Sequence, residues 1–350
     1  MTSPGIHARR AGGAVLAVPI LFVALGAAVV SLAFSREVET RAAESPSEGA
    51  AKAKDLVLDL GNGVSMKLVL IRAGKFIMGS PEASPLDKRL RRTGAEQPLH
   101  EVTIRSDFYL GAFEVTRGQF AAFVADTGYK TDAERDGWAF AWDGRKWDKV
   151  EGASWRNVGF DQTDDHPVLC VSWRDAVIFC DWLTRKGRHP VRLPTETEWE
   201  YGCRAGSTAA FCWGDDPKDG KGCCNAADET GRKKFRAWRA APWDDGYVFT
   251  APVGTFQANR FGLHDMHGNV FEWCSDNVAQ PDAGGAPYGG GKQENRAAHR
   301  VIRGGSWLST PGRCRAAFRV VIPPVGGGCD NIVGFRVAAD LTAAAQGPTP

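Results

Sequence analysis

The chain has 350 residues, 43% apolar and 24% charged, with a formal net charge of +2. That composition excludes a disordered polypeptide, and so small and evenly spread a charge excludes the basic face that a nucleic-acid partner requires. Twelve tryptophans and 41 glycines are the unusual counts, and they point to a loop-rich fold pinned by large aromatics rather than by long helices.

Residues 1–10 form a short N-terminus ending in Arg9 and Arg10, followed by 24 uncharged residues, Ala11–Phe34. At about 1.5 Å per helical residue such a run spans a hydrocarbon layer of about 30 Å. A cleaved signal peptide carries an apolar core of only about 7–15 residues, so residues 11–34 are expected to be an uncleaved transmembrane signal anchor; cleavage would instead give a secreted protein. The arginine pair places the N-terminus in the cytoplasm and the main domain on the exported side, periplasmic or otherwise extracytoplasmic. Residues 35–54, rich in Ala, Glu, Ser and Lys without apolar periodicity, read as a disordered linker. Residues 55–340 read as one folded domain, and 341–350 as a disordered tail.

Within the domain, Val64–Ser80 contains two apolar runs about Ala73-Gly74-Lys75, which predicts a hairpin, and Glu101–Tyr109 alternates as a half-buried strand. Three helices announce themselves by reciprocal capping boxes: Thr116 with Gln119, Ser172 with Asp175, and Thr195 with Glu198. Trp138–Trp155 reads as an irregular stretch tacked to the core by indoles, and the chain closes on a strand at Val333–Ala338. Short strands, capped helices and glycine-rich loops make the class α+β, as a single domain with no internal repeat.

Nine cysteines show neither zinc spacing nor C-x-x-C. Cys212 with Cys223 or Cys224 is the best local disulfide candidate, although spacing does not fix connectivity. The densest segment is Asn259–Trp273, NRFGLHDMHGNVFEW. Its glycines permit tight turns, and Asp265 and Glu272 offer hard oxygen ligands of the kind Ca²⁺ takes. By residue type alone a surface turn with solvated acids is slightly ahead, because the spacing is not that of an EF-hand. His264 and His267 read as packing or groove residues.

His166–Leu183, Arg192–Gly206, Phe261–Trp273, RGGSW at Arg303–Trp307 and NIVGFRVA at Asn331–Ala338 resemble, in order and spacing, the formylglycine-generating enzyme or sulfatase-modifying-factor family. The resemblance covers about Val64–Asp340. It implies a compact domain of C-type-lectin-like fold with little regular secondary structure, usually carrying two Ca²⁺ ions. One cation set falls on Asn225, Ala226, Asp245 and Tyr247, and the other on Asp265, Gly268, Val270 and Glu272. It also implies a Cu(I) site on two cysteines five positions apart after Gly-Gly-Ser, which here fall on Ser309 and Cys314. Serine is a hard, weak ligand where a soft thiolate is needed, which argues against Cu(I). Counting back from Arg319, this loop is about three residues shorter than the family's, which moves Cys314 off the catalytic position.

The resemblance also pairs Cys180 and Cys203 with positions that lack cysteine here, so both are expected as buried thiols. Two functions follow. The favoured one is a diverged, membrane-anchored member that uses its calcium-braced scaffold, with Ser306 and Trp307 lining a groove, to bind an exported polypeptide such as a sulfatase, or a glycan. The alternative is an active oxidase that converts a sulfatase cysteine to formylglycine with O₂ through Cys314, paired with a thiol from elsewhere such as Cys329 or Cys274.

Overall fold

The computed structural model describes residues 55–81, 96, 98–142, 146–187, 189–277, 299–324 and 329–341. The expected anchor, linker and tail lie outside these, except for Leu341. Among the described residues no helix is long and apolar enough to cross a membrane.

Strands β1 (Leu56–Gly61) and β2 (Val64–Ile71) form an antiparallel hairpin through Asn62-Gly63, both at positive φ. Its alternation buries Leu58, Leu60, Met66 and Leu68. The expected hairpin across Ala73-Gly74 does not form. β3 (Gly74–Met78) leaves β2 and pairs with β4 (His100–Ile104) in a separate ribbon, because the other edge of β2 is taken by β5 (Phe108–Gly111). The strand expected at Glu101–Tyr109 is accordingly two strands. Asp107 accepts from Arg72 Nη1 and the Ala73 N–H, which fixes the bend between them.

The three capping boxes form as expected, on α1 (Arg117–Thr127), α3 (Trp173–Lys186) and α4 (Glu196–Arg204). A fourth box, Thr131 with Glu134, starts the short α2 (Asp132–Asp136); five residues give no apolar periodicity, so the sequence reading passed over it. The stretch expected to be irregular contains a hairpin, β6 (Trp138–Trp142) with β7 (Trp147–Glu151). Alternation of Ala139 and Ala141 inward with half-buried aromatics outward is the two-residue period that the tryptophan count obscured.

β8 (Val191–Arg192) precedes α4, and α5 (Glu229–Lys234) lies in the loop-rich region before β9 (Phe271–Asn277). β10 (Arg300–Arg303), β11 (Arg319–Ile322), β12 (Val333–Gly334) and β13 (Ala338–Asp340) follow. The closing strand of the sequence reading is thus β12 and β13, in different sheets. One sheet runs β1-β2-β5-β13-β8 and the other β11-β10-β9-β12. The core between them holds Phe120, Phe179, Trp273, Phe318 and Phe335. The result is a single compact α+β domain in which β9 and β10 deliver the loops before and after them to one place.

Candidate functional site

Three loops, 223–228, 265–270 and 304–314, are zipped together by backbone hydrogen bonds. Asn269 N–H donates to Asn225 O (2.8 Å), Gly268 N–H to Gly304 O (2.8 Å), Trp307 N–H to Asn269 O (2.9 Å) and Ala227 N–H to Ser309 O (2.9 Å). Gly268 is obligatory: at φ 92° a Cβ would sit 2.0 Å from Asn225 O. Asn269, also at positive φ and fully buried, is the hub the sequence reading missed. Its Oδ1 accepts from Ala251 N–H (3.0 Å) and its Nδ2 donates to Glu114 (3.1 Å). Asparagine's tolerance of the left-handed region after a glycine was the available signal.

The first proposed cation set comes together. Asp245 accepts from Ala226 N–H (3.3 Å) and Tyr247 N–H (2.8 Å), and Asn225 Oδ1 is buried with no hydrogen-bond partner among the described residues. Burial pushes the Asp245 carboxyl up to about 8, and nearby Asp228 adds to the effect. Asp228 in turn caps α5 through Gly231 N–H and accepts from Asp245 N–H (2.5 Å). An orphaned amide oxygen beside a carboxylate that is costly to ionise fits a hard cation.

The second set is fitted in part. Asp265 is 4% exposed and Glu272 fully buried, which overturns the solvated surface turn. Asp265 Oδ2 accepts from Gly254 N–H (2.7 Å), while Oδ1 is buried without a partner among the described residues. Burial pushes the Asp265 carboxyl up to about 6. Glu272, however, is already occupied: Arg336 grips both its oxygens (2.6 and 2.7 Å) and Trp199 Nε1 donates to it (2.8 Å). Burial, with Asp265 and Glu272 close by, also drives the neighbouring Glu114 carboxyl well up. Asp265 and Glu272 beside one guanidinium leave an excess of negative charge that a divalent cation would balance, but Glu272 would have to be shared with Arg336. Among the described residues no three His, Cys, Asp or Glu side chains form a metal-holding group; each expected set contains only one or two carboxylates, completed by amide and backbone oxygens.

Ser309 is buried, and its hydroxyl closes a turn with Ser306, accepting from Ser306 N–H (3.1 Å) and lying 3.3 Å from Ser306 Oγ. Ser306 and Trp307 are 0% and 1% exposed, so they underlie the surface rather than line a groove, because β10 feeds the Gly304-Gly305 turn directly into the core. Arg303 fixes that entry through Ala317 O and Phe318 O (both 2.8 Å) and an ion pair with Glu200. Cys314 is buried in one apolar cluster with Cys224, whereas Cys329 and Cys274 lie in other clusters. All nine cysteines are unbridged; Cys180 and Cys203 are buried thiols as expected, and Cys212 forms no disulfide with Cys223 or Cys224.

His267 is the buried strut beside this thiol. Its Nδ1 bonds Cys314 O (2.7 Å), so it carries the proton, and Nε2 accepts from Cys212 N–H (3.1 Å). Burial holds it neutral, lowered to about 4. Above Trp307 lies a half-buried aromatic surface. Phe160 stacks on Phe249 (4.3 Å), Phe235 on Trp238 (4.5 Å), and Lys234 sits 4.7 Å over Phe249.

The family described as "Sulfatase-modifying factor enzyme 1-like domain" matches residues 62–341. The chain is 34% identical over 311 residues to the formylglycine-generating enzyme of Mus musculus, covering 78% of this chain and 75% of that protein. It is 30% identical over 321 residues to the inactive C-alpha-formylglycine-generating enzyme 2 of Bos taurus, covering 81% and 91%. The structure of PvdO from Pseudomonas aeruginosa superposes with a TM-score of 0.62 at 30% identity, covering 83% of this chain and all of that one.

Proposed function

The chain belongs to the sulfatase-modifying factor family, that of the formylglycine-generating enzymes, and from that premise we propose that it is a diverged member that binds a polypeptide without oxidising it. The carrying observation is Ser309. Where the family's cysteine pair calls for a second sulfur, this chain has a hydroxyl already committed to the Ser306 turn, so the pair at 309 and 314 does not fit Cu(I). Burial of Cys314 also keeps a substrate thiol away from it.

The binding surface is the aromatic set Trp142, Phe160, Phe235, Trp238 and Phe249, rimmed by exposed Lys234, Arg236 and Arg239. Flat rings with cationic edges suit the aromatic and acidic side chains of a polypeptide segment. The loops beneath would be braced by Ca²⁺, held by Asn225, Ala226, Asp245 and Tyr247 and, with Glu272 shared, by Asp265, Gly268 and Val270; a cation bound only by the folded state adds stability. The apolar run at 11–34 would anchor the domain on the exported side.

The test is Cu(I) titration of the reduced protein with Cys314→Ser as control, followed by an oxidase assay on a C-x-P-x-R peptide. Neither tight copper binding nor turnover is expected. Copper binding that disappears in the variant, or formylglycine formation by the unaltered chain, would establish the oxidase reading instead. Activity gained by Ser309→Cys alone would show that the missing sulfur is the cause of inactivity.

A further inference from the structure

Cys224 and Cys314 are 1% and 0% exposed and stand ninety residues apart in sequence, yet they share one small apolar cluster with Phe211, Ala226, Ala241 and Trp243. Two glycines, both at positive φ, open the space for the two sulfurs. A Cβ on Gly305 would lie 2.6 Å from Cys314 Sγ, and one on Gly268 would lie 3.0 Å from Cys224 Sγ. The backbones on either side are positioned by other groups: Ala227 N–H on Ser309 O, Cys314 N–H on Pro311 O (2.8 Å), and His267 Nδ1–H on Cys314 O. The two side chains are therefore brought into one cluster without any bond between them being needed to hold the loops.

We propose that Cys224 and Cys314 are the two halves of a disulfide site, a covalent clasp between the 223–228 loop and the 304–314 loop. The oxidant is a small-molecule or protein disulfide. The thiolate of one cysteine attacks it, forming a mixed disulfide and releasing one thiol. The second cysteine's thiolate then attacks the mixed bond, forming Cys224–Cys314 and releasing the other thiol. Two S–H bonds are lost, one S–S bond forms, and the two electrons and two protons leave with the two released thiols. Both sulfurs are buried, so the bond closes during folding or on local opening rather than by direct reaction of the closed structure with an outside disulfide. The clasp does not depend on the nature of the bound partner.

The experiment uses the full chain carrying Cys212→Ser and Cys223→Ser, which removes the half-buried outer thiols and leaves seven of the nine cysteines. The protein is refolded against oxidised and reduced glutathione, denatured, alkylated and mapped by mass spectrometry. Two of the seven thiols should resist alkylation, one cross-link should join Cys224 to Cys314, and a further Cys314→Ser change should leave every remaining thiol alkylated. Seven alkylated thiols, or a cross-link that leaves Cys224 and Cys314 free, would overturn the proposal. If the double variant does not fold, the same map on the unaltered chain decides: a link between residue 314 and the 223–224 pair supports the clasp, and its absence removes it.

Discussion

Arg336→Met tests the buried ion pair of the candidate site. Arg336 is fully buried; besides gripping Glu272 it donates to Gly111 O and His264 O (both 2.9 Å). Methionine keeps much of the packing but deletes four hydrogen bonds, orphans two carbonyls and leaves Glu272 with Trp199 alone, among Asp265 and Glu114. Breaking a buried pair costs roughly 3–5 kcal/mol, and an orphaned carbonyl about 1 kcal/mol or more. Partial protonation of the carboxylates limits the sum, so about 5 kcal/mol is expected, a large share of the roughly 5–15 kcal/mol that holds a domain together. Glu272→Gln should cost less, about 2 kcal/mol, because Asp265 and Glu114 still face the guanidinium. Urea unfolding followed by tryptophan fluorescence measures both. A loss under about 1 kcal/mol for Arg336→Met would refute the ion-pair account. A larger loss for Glu272→Gln, appearing only with Ca²⁺ present, would show that Glu272 serves a cation first.

Two further outcomes follow from the same loops. Excess chelator should lower the melting temperature, by several degrees if even one cation of modest affinity is removed, and Asp245→Asn should abolish that difference; an unchanged melt would remove the calcium brace. His267 gives a pH dependence. Its folded value, lowered to about 4 from 6.5, means that below pH 6.5 the unfolded chain takes up a proton the folded one refuses. Stability is therefore full above about 6.5, falls as pH drops toward about 4, and loses about 3 kcal/mol over that interval at about 1.4 kcal/mol per pH unit. His267→Gln should flatten that slope in acid unfolding curves, and a slope identical in the two proteins would contradict the neutral, buried imidazole.

Features settled within a few residues were legible in the sequence. The three capping boxes form because the Thr or Ser hydroxyl and its Gln, Asp or Glu partner satisfy each other across one helical turn, with no help from elsewhere. The glycines of the family motifs are set locally too: Gly268 and Gly304 both sit at positive φ, and a Cβ on Gly268 would strike Asn225 O. The fold class followed from both.

What the sequence left open depends on partners far along the chain. Alternation showed that β2 and β3 are strands, but their pairing was decided by β1, β5 and β4 competing for the same edges. By residue type the acids of Asn259–Trp273 fitted a solvated turn slightly better, and it was the fold that buried Glu272 on Arg336, sixty-four residues later. Cys314 found its neighbour in Cys224 rather than in the nearer Cys329 or Cys274, because the Gly304-Gly305 turn lays its loop across residues 224–227. Local sequence determines which groups can satisfy themselves; only the tertiary structure decides which buried groups must find one another.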